Sequence, residues 1–185
     1  TRMLEQGSYG DADLIQQTAN VLIPIVFLQI NSACLRFALD KDGDKGEVFS
    51  VGLRTTFIGF AVFLLFWYPI SLGDYIVLIY VFVLVSGLRQ LCQQFVRGCG
   101  FVKIFAVDGI IATATTLAFN LLFLGPLHWG VNGYILAIIA SDACSVAFLF
   151  ATCKLWRYIK FKGVRKSTAF SMLKYSIPMM PTIIL

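Results

Sequence analysis

Apolar residues in this chain fall into long runs rather than into short alternating stretches. Five runs, at about 14–35, 49–70, 75–95, 104–124 and 133–153, each approach the length of about 20 residues that a helix needs to cross the hydrocarbon core of a bilayer. A sixth run begins near Lys174. Backbone that leaves water must satisfy its own hydrogen bonds, so each run predicts a helix. A transmembrane β-barrel would instead show segments of about ten residues with alternating polarity, and Ala61-Val62-Phe63-Leu64-Leu65-Phe66 shows no alternation. The pattern predicts an all-α membrane protein, a polytopic helical bundle of about five complete spans plus the start of a sixth. Residues 1–173 then form one partial transmembrane bundle, and residues 174–185 open the next helix.

Composition agrees. Hydrophobic residues make up 58% of the 185 and charged residues only 14%, with a mean hydropathy of +0.81. Soluble domains carry roughly 25% charged residues, so this chain lacks the polar surface to coat itself in water. The net charge of +5 does not point to nucleic acid, because the cations sit between the apolar runs and form no single patch interleaved with aromatics. Cys34, Cys92, Cys99, Cys144 and Cys153 show no CxxC pairing and read as small buried apolar side chains.

The connections decide the orientation. Every second one carries the cations: Ala38 to Glu47, Arg97 to Lys103 and Lys154 to Ser167 are charged, whereas Ser71 to Asp74 and Gly125 to Asn132 hold no Lys or Arg. With the flanks included, fourteen of the fifteen Lys and Arg residues lie on one side and only Arg2 on the other. By the positive-inside rule that side is cytoplasmic, with residues 1–12 outside and loops 38–48, 97–103 and 154–173 inside. Trp67, Tyr68, Tyr75, Trp129 and Tyr134 mark the outer interface, Trp156 and Tyr158 the inner one. An outward start, the absence of an initiator Met and the apolar end at Leu185 predict a fragment that lacks one helix in front and further helices behind.

No catalytic constellation stands out. His128 has no triad or metal partner nearby, and Asp40-Lys41-Asp42-Gly43-Asp44 fails as a calcium loop because Gly43 is misplaced and no terminal Glu fits. No cofactor and no metal is called for. Polar residues inside the spans say more, because each is costly unless it faces protein or water. On the first span Asp13, Gln17, Asn20, Pro24 and Asn31 recur at helical spacings, with Gln16 beside them. They form either the wall of a water-filled cavity or a set of interhelical hydrogen bonds, and Pro24 predicts a kink. The third span ends in Ser86, Gln90, Gln93 and Arg97, with Arg89 and Gln94 adjacent. Arg89 either snorkels to headgroups or faces a cavity, where a guanidinium suits phosphate. Asp108 is close enough to Lys103 or Arg97 to pair with them, and Asn120 lies further along the same span with Thr113 and Thr116. Asp142, near mid-membrane, needs a partner such as Arg89, neutralisation, or a place in an ion route.

A family resemblance joins these features. Tyr9-Gly10-Asp11-Ala12-Asp13-Leu14-Ile15 with Asn31-Ser32-Ala33-Cys34-Leu35-Arg36-Phe37 resembles the second helix of the Wzx-like polysaccharide and O-antigen flippases, members of the multidrug/oligosaccharidyl-lipid/polysaccharide exporter superfamily. Arg97-Gly98-Cys99-Gly100, Asn132-Gly133-Tyr134 and Leu173-Lys174-Tyr175-Ser176-Ile177-Pro178 resemble later family turns in the same order. The resemblance implies half of a two-bundle exporter fold in the bacterial cytoplasmic membrane, surrounding a cation-lined cavity. It implies alternating-access transport of undecaprenyl-pyrophosphate-linked oligosaccharide for polysaccharide, O-antigen or capsule synthesis, with the polysaccharide polymerase and chain-length proteins as partners. On that reading Asp13 and Arg36 flank a cavity-facing helix, Arg36 and Arg89 attract pyrophosphate, and the Asn and Gln stripes contact sugar hydroxyls. A cation-coupled multidrug exporter of the same superfamily is the alternative, with Asp13 or Asp142 coupling to H+ or Na+. An envelope-sugar transferase would need a large outer loop, and these are short.

Reporter tags inserted after Lys45 and after Lys162 of the full-length protein test the orientation. Both should be shielded from a periplasmic probe, and accessibility of either would reverse it.

Overall fold

The computed structural model describes residues 6–40, 43–67, 76–125, 129–160 and 165–179. It is all helix among these: α1 (Gln6–Val26), α2 (Ile30–Leu39), α3 (Lys45–Trp67), α4 (Ile76–Gly98), α5 (Val102–Leu124), α6 (Gly130–Cys153) and α7 (Lys166–Ser176), with short 3-10 turns at Leu155–Tyr158 and Ile177–Met179. Helices α3 to α6 are each long and apolar enough to cross a membrane, and α1 with α2 makes a fifth, broken span. The chain is an all-α polytopic bundle. Tyr68 to Tyr75, His128, Lys41, Asp42, Lys162 and residues 1–5 and 180–185 lie outside the described residues.

Two boundaries differ from the sequence pattern. The first span is not one helix: it runs through Pro24 and breaks at Phe27 to Gln29, where α1 and α2 meet at a bend of 57°. Proline lacks the N–H that would bond the preceding turn. The chain then closes with a wide bond from Gln29 N–H to the Pro24 carbonyl (2.9 Å). Leu28 and Gln29 both take φ of 51°, a left-handed conformation that side chains with a Cβ resist. The chain is also helical before the expected start near Lys174: α7 begins at Lys166 and runs to Ser176, and the end of the expected run, residues 180–185, lies outside the described residues. Helix α7 packs on α2 and α3.

Helix α4 is the centre of the bundle, touching α1, α2, α3, α5 and α6. Its buried face (Phe82, Val83, Leu91, Cys92, Phe95, Val96) meets Phe27, Cys34, Phe49 and Leu149. Phe95 lies between Phe49 (4.6 Å between ring centres) and Tyr158 (5.2 Å). Close approach depends on small residues. Gly87 of α4 leaves room for the Phe27 ring, which a Cβ at 87 would penetrate, and Gly59 of α3 faces the Val26 carbonyl at the helix break in the same way. Helix α5 is the outermost span: 11% of it is buried, against 39% for α3, α4 and α6. Its Val107, Ile110, Leu117 and Leu121 face outward, as side chains bordering lipid tails do.

The charged connections gather at one end. Gly98 at the end of α4 abuts Ala38 and Leu35 of α2. The Asp44 carboxylate accepts the N–H groups of Gly46 (3.0 Å) and Glu47 (3.3 Å), capping α3, and pairs with Lys160 at 2.5 Å. The hydrogen bond from Lys160, with those from the backbone, holds the Asp44 carboxyl below its ordinary pKa. The Ser50 hydroxyl accepts the Lys160 N–H (2.7 Å), and Glu47 accepts that of Arg165 (2.6 Å) at the start of α7. The 38–48 and 154–165 connections therefore share one end of the bundle, as alternation along the chain requires.

Gly87→Ala should lower the midpoint of thermal unfolding of the full-length protein in detergent, by overpacking worth about 1–3 kcal/mol against the Phe27 ring. Gly109→Ala, where a Cβ meets nothing within 4 Å, should leave the midpoint unchanged or raise it. Equal effects would remove the close α1–α4 approach as a determinant of the fold.

Candidate functional site

Ser86, Arg89, Gln90 and Gln93 occupy positions i, i+3, i+4 and i+7 of α4, which a helix brings to one face. That face meets Gln16 and Asn20 of α1 and Ile138 and Asp142 of α6 around a cavity of about 310 Å³. The cavity lies near the middle of α1, α4 and α6.

Its core is an ion pair. Arg89 Nη1 is 2.5 Å from one oxygen of the Asp142 carboxylate, and the Ser86 hydroxyl donates to the other. The Asp142 side chain is 5% exposed and that of Arg89 25%, so the carboxylate is sealed and the guanidinium borders the cavity. Removing one member of a buried pair strands the other and costs about 3–5 kcal/mol. Arg89 Nε is buried without a hydrogen-bond partner.

Amides extend the network outward. Asn31, in the first turn of α2 after the break, donates through Nδ2 to Gln90 Oε1 (3.1 Å). Tyr134 of α6 donates its hydroxyl to Gln16 Oε1 (2.9 Å). Gln93 donates through Nε2 to Asp108 of α5 (2.7 Å), whose other oxygen accepts the Ser145 hydroxyl (2.5 Å). Asp108 is fully buried. A separate hydroxyl knot joins α5 to α6, with Thr115 and Thr116 both 2.8 Å from the Ser141 hydroxyl and Ser141 donating to the Ala112 carbonyl.

The structure thus brings together Asn20, Arg89, Gln90, Gln93 and Asp142, with Asn31 just behind Gln90. It leaves four candidates elsewhere. Asp13 and Gln17 bond each other on an exposed face of α1 (2.8 Å). Arg36 is at the charged end, its guanidinium over the Tyr175 ring at 4.9 Å. Asn120 is half-buried on α5, its Oδ1 without a partner.

Two expectations from the sequence are corrected. Asp108 does not pair with Lys103 or Arg97: it is turned into the α4–α6 interface, where Gln93 and Ser145 satisfy it, and Arg97 sits 5.8 Å from the centre of the Phe105 ring. Nor does Arg97 continue the cavity stripe; it is exposed, and Arg89 takes the place beside Gln90. Sequence reasoning missed Tyr134 and Ser145. Its place in the sequence marks Tyr134 as an interfacial aromatic, whereas its hydroxyl reaches inward to α1. Ser145 lies one turn after Asp142, and that spacing was the available clue.

No group of three His, Cys, Asp or Glu side chains among the described residues is arranged to hold a metal ion. What the arrangement can do is bind: it offers amide donors and acceptors and one neutralised guanidinium in apolar surroundings. Comparison with family models, with curated proteins and with solved structures yields no match.

Proposed function

We propose that this chain is most of the N-terminal bundle of a two-bundle exporter that flips undecaprenyl-pyrophosphate-linked oligosaccharide across the bacterial cytoplasmic membrane by alternating access. The observation that carries the reading is the cavity in the middle of the bundle, polar in its lining and bounded by helices apolar enough to cross a membrane. A sugar headgroup crossing hydrocarbon needs such a path, because each unsatisfied hydroxyl left in an apolar medium costs several kcal/mol. The lipid tail needs none and stays in the bilayer. An apolar groove of about 430 Å³ between α1 and α3, beside the helix break, is suited to such a tail.

The charged end supports the direction of transport. Arg36 near the end of α2 stands over Tyr175 of α7, and Lys160 and Arg165 stand where their connection meets Asp44 and Glu47; with that end on the cytoplasmic side, it attracts the pyrophosphate where lipid-linked sugars are made. The alternative, a cation-coupled drug exporter, calls for an anionic cavity. Asp142 is its natural coupling carboxylate, but Arg89 neutralises it, and Asp13 bonds Gln17 outside the cavity. The charge balance favours the sugar carrier.

The test is translocation of a fluorescent undecaprenyl-pyrophosphate-linked oligosaccharide by the full-length protein in proteoliposomes. Wild type should move the probe to the opposite leaflet, and Arg89→Ala should slow it at least about tenfold at equal incorporation, a barrier change of about 1.4 kcal/mol. No translocation by the wild type would refute the proposal. Unchanged transport by Arg89→Ala would remove Arg89 from the mechanism.

A further inference from the structure

We infer that the mid-bundle cavity selects an uncharged, hydroxyl-rich sugar over an acidic one. This inference rests on the sugar-carrier reading and narrows its substrate class.

The argument starts from charge. Arg89 and Asp142 are the two formally charged residues lining the cavity, and they are bonded to each other. Their charges cancel, although the chain as a whole carries +5. Asp142 is held from both sides, by Arg89 and by Ser86, so an incoming anion would have to displace a carboxylate whose replacement partner is a neutral hydroxyl. A sugar carboxylate entering the cavity gives up water and meets a guanidinium that already has its counter-ion, so its desolvation is not repaid. Arg89 therefore serves here as the counter-ion of Asp142 rather than as a phosphate clamp.

Hydrogen bonding completes the selection. Tyr134 engages Gln16 Oε1, leaving the Gln16 amide nitrogen as a donor, and Asn31 engages Gln90 Oε1 with the same result at Gln90. Gln93 is reversed: its nitrogen serves Asp108, which leaves Oε1 to accept. Asn20, exposed on the cavity wall, offers both groups. Interleaved neutral donors and acceptors match hydroxyls, which both give and accept hydrogen bonds, whereas a sugar carboxylate only accepts. The volume, about 310 Å³, is at the lower end of the range for ligand pockets and fits a short stretch of glycan rather than a whole oligosaccharide.

Binding of three synthetic probes to the full-length protein in nanodiscs tests this: farnesyl pyrophosphate, and the same lipid carrying N-acetylglucosamine or glucuronic acid. The wild type should bind the N-acetylglucosamine probe about tenfold more tightly than the glucuronic acid probe, equivalent to about 1.4 kcal/mol. Asp142→Asn releases the charge of Arg89 and should erase or reverse that preference. Adding Arg89→Gln to it restores neutrality and should restore the preference. Equal binding of the two sugar probes by the wild type, or tighter binding of the acidic one, overturns the inference while leaving the sugar-carrier reading intact. If neither sugar probe binds more tightly than farnesyl pyrophosphate, the sugar-carrier reading itself fails. The wild-type comparison decides alone if a variant does not fold.

Discussion

A charged or hydrogen-bonding side chain in the middle of a lipid-crossing helix must find a protein partner or water, because hydrocarbon supplies neither. In this bundle that requirement is met around α4. One face of the helix carries Ser86, Arg89, Gln90 and Gln93, which together reach three neighbouring helices: Ser86 and Arg89 bond Asp142 of α6, Gln90 bonds Asn31 of α2, and Gln93 bonds Asp108 of α5. Between lipid-facing helices apolar burial gives little net attraction, so close packing and such interhelical bonds are what join them. Gly87 allows the same helix to approach the Phe27 ring. Polar bonding and close contact thus converge on one segment.

The cavity follows from incomplete satisfaction of that network. Asp108 is fully buried and bonded at both oxygens, so the α4–α5–α6 side is closed. Toward α1 the helix break turns the chain by 57°, and Gln16 and Asn20 border a space that side chains do not fill. A straight first span would carry Asn31 along the line of α1. The bend instead gives α2 its own direction, with Asn31 against Gln90. Strain at Leu28 and Gln29, each in a left-handed conformation, is the cost of that geometry, about 1–3 kcal/mol per residue, offset by the contacts made on both sides of the bend.

Much of the fold was legible because bilayer thickness is a strict ruler. The apolar runs located α3 to α6 within a few residues, and the alternating charge of the connections matches their meeting at one end, Asp44 with Lys160 and Glu47 with Arg165. The break at Phe27 to Gln29 was legible only as a kink at Pro24, since proline reports the missing N–H but not how the following turn closes. Periodicity also found Ser86, Gln90 and Gln93 of the α4 stripe but continued it to the exposed Arg97 instead of Arg89, which the mid-span position of Asp142 nominated as a partner. It failed for Asp108, because sequence proximity to Lys103 and Arg97 says nothing of which way the helix is rotated. Gln93 and Ser145, distant along the chain, take that carboxylate instead. Asn120 was nominated by its polarity, yet it sits on the outermost helix away from the cavity.

The central claim is that the polar face shared by α1, α4 and α6 borders water inside the membrane. Thiol accessibility reads this directly in the full-length protein with Cys34, Cys92, Cys99, Cys144 and Cys153 replaced by alanine. A membrane-impermeant maleimide should label Asn20→Cys and Gln90→Cys and leave Leu117→Cys, on the outward face of α5, unreacted. Asn20→Cys and Gln90→Cys as inert as Leu117→Cys would contradict the account, because the polar side chains would then be interhelical fastenings with no aqueous path between them.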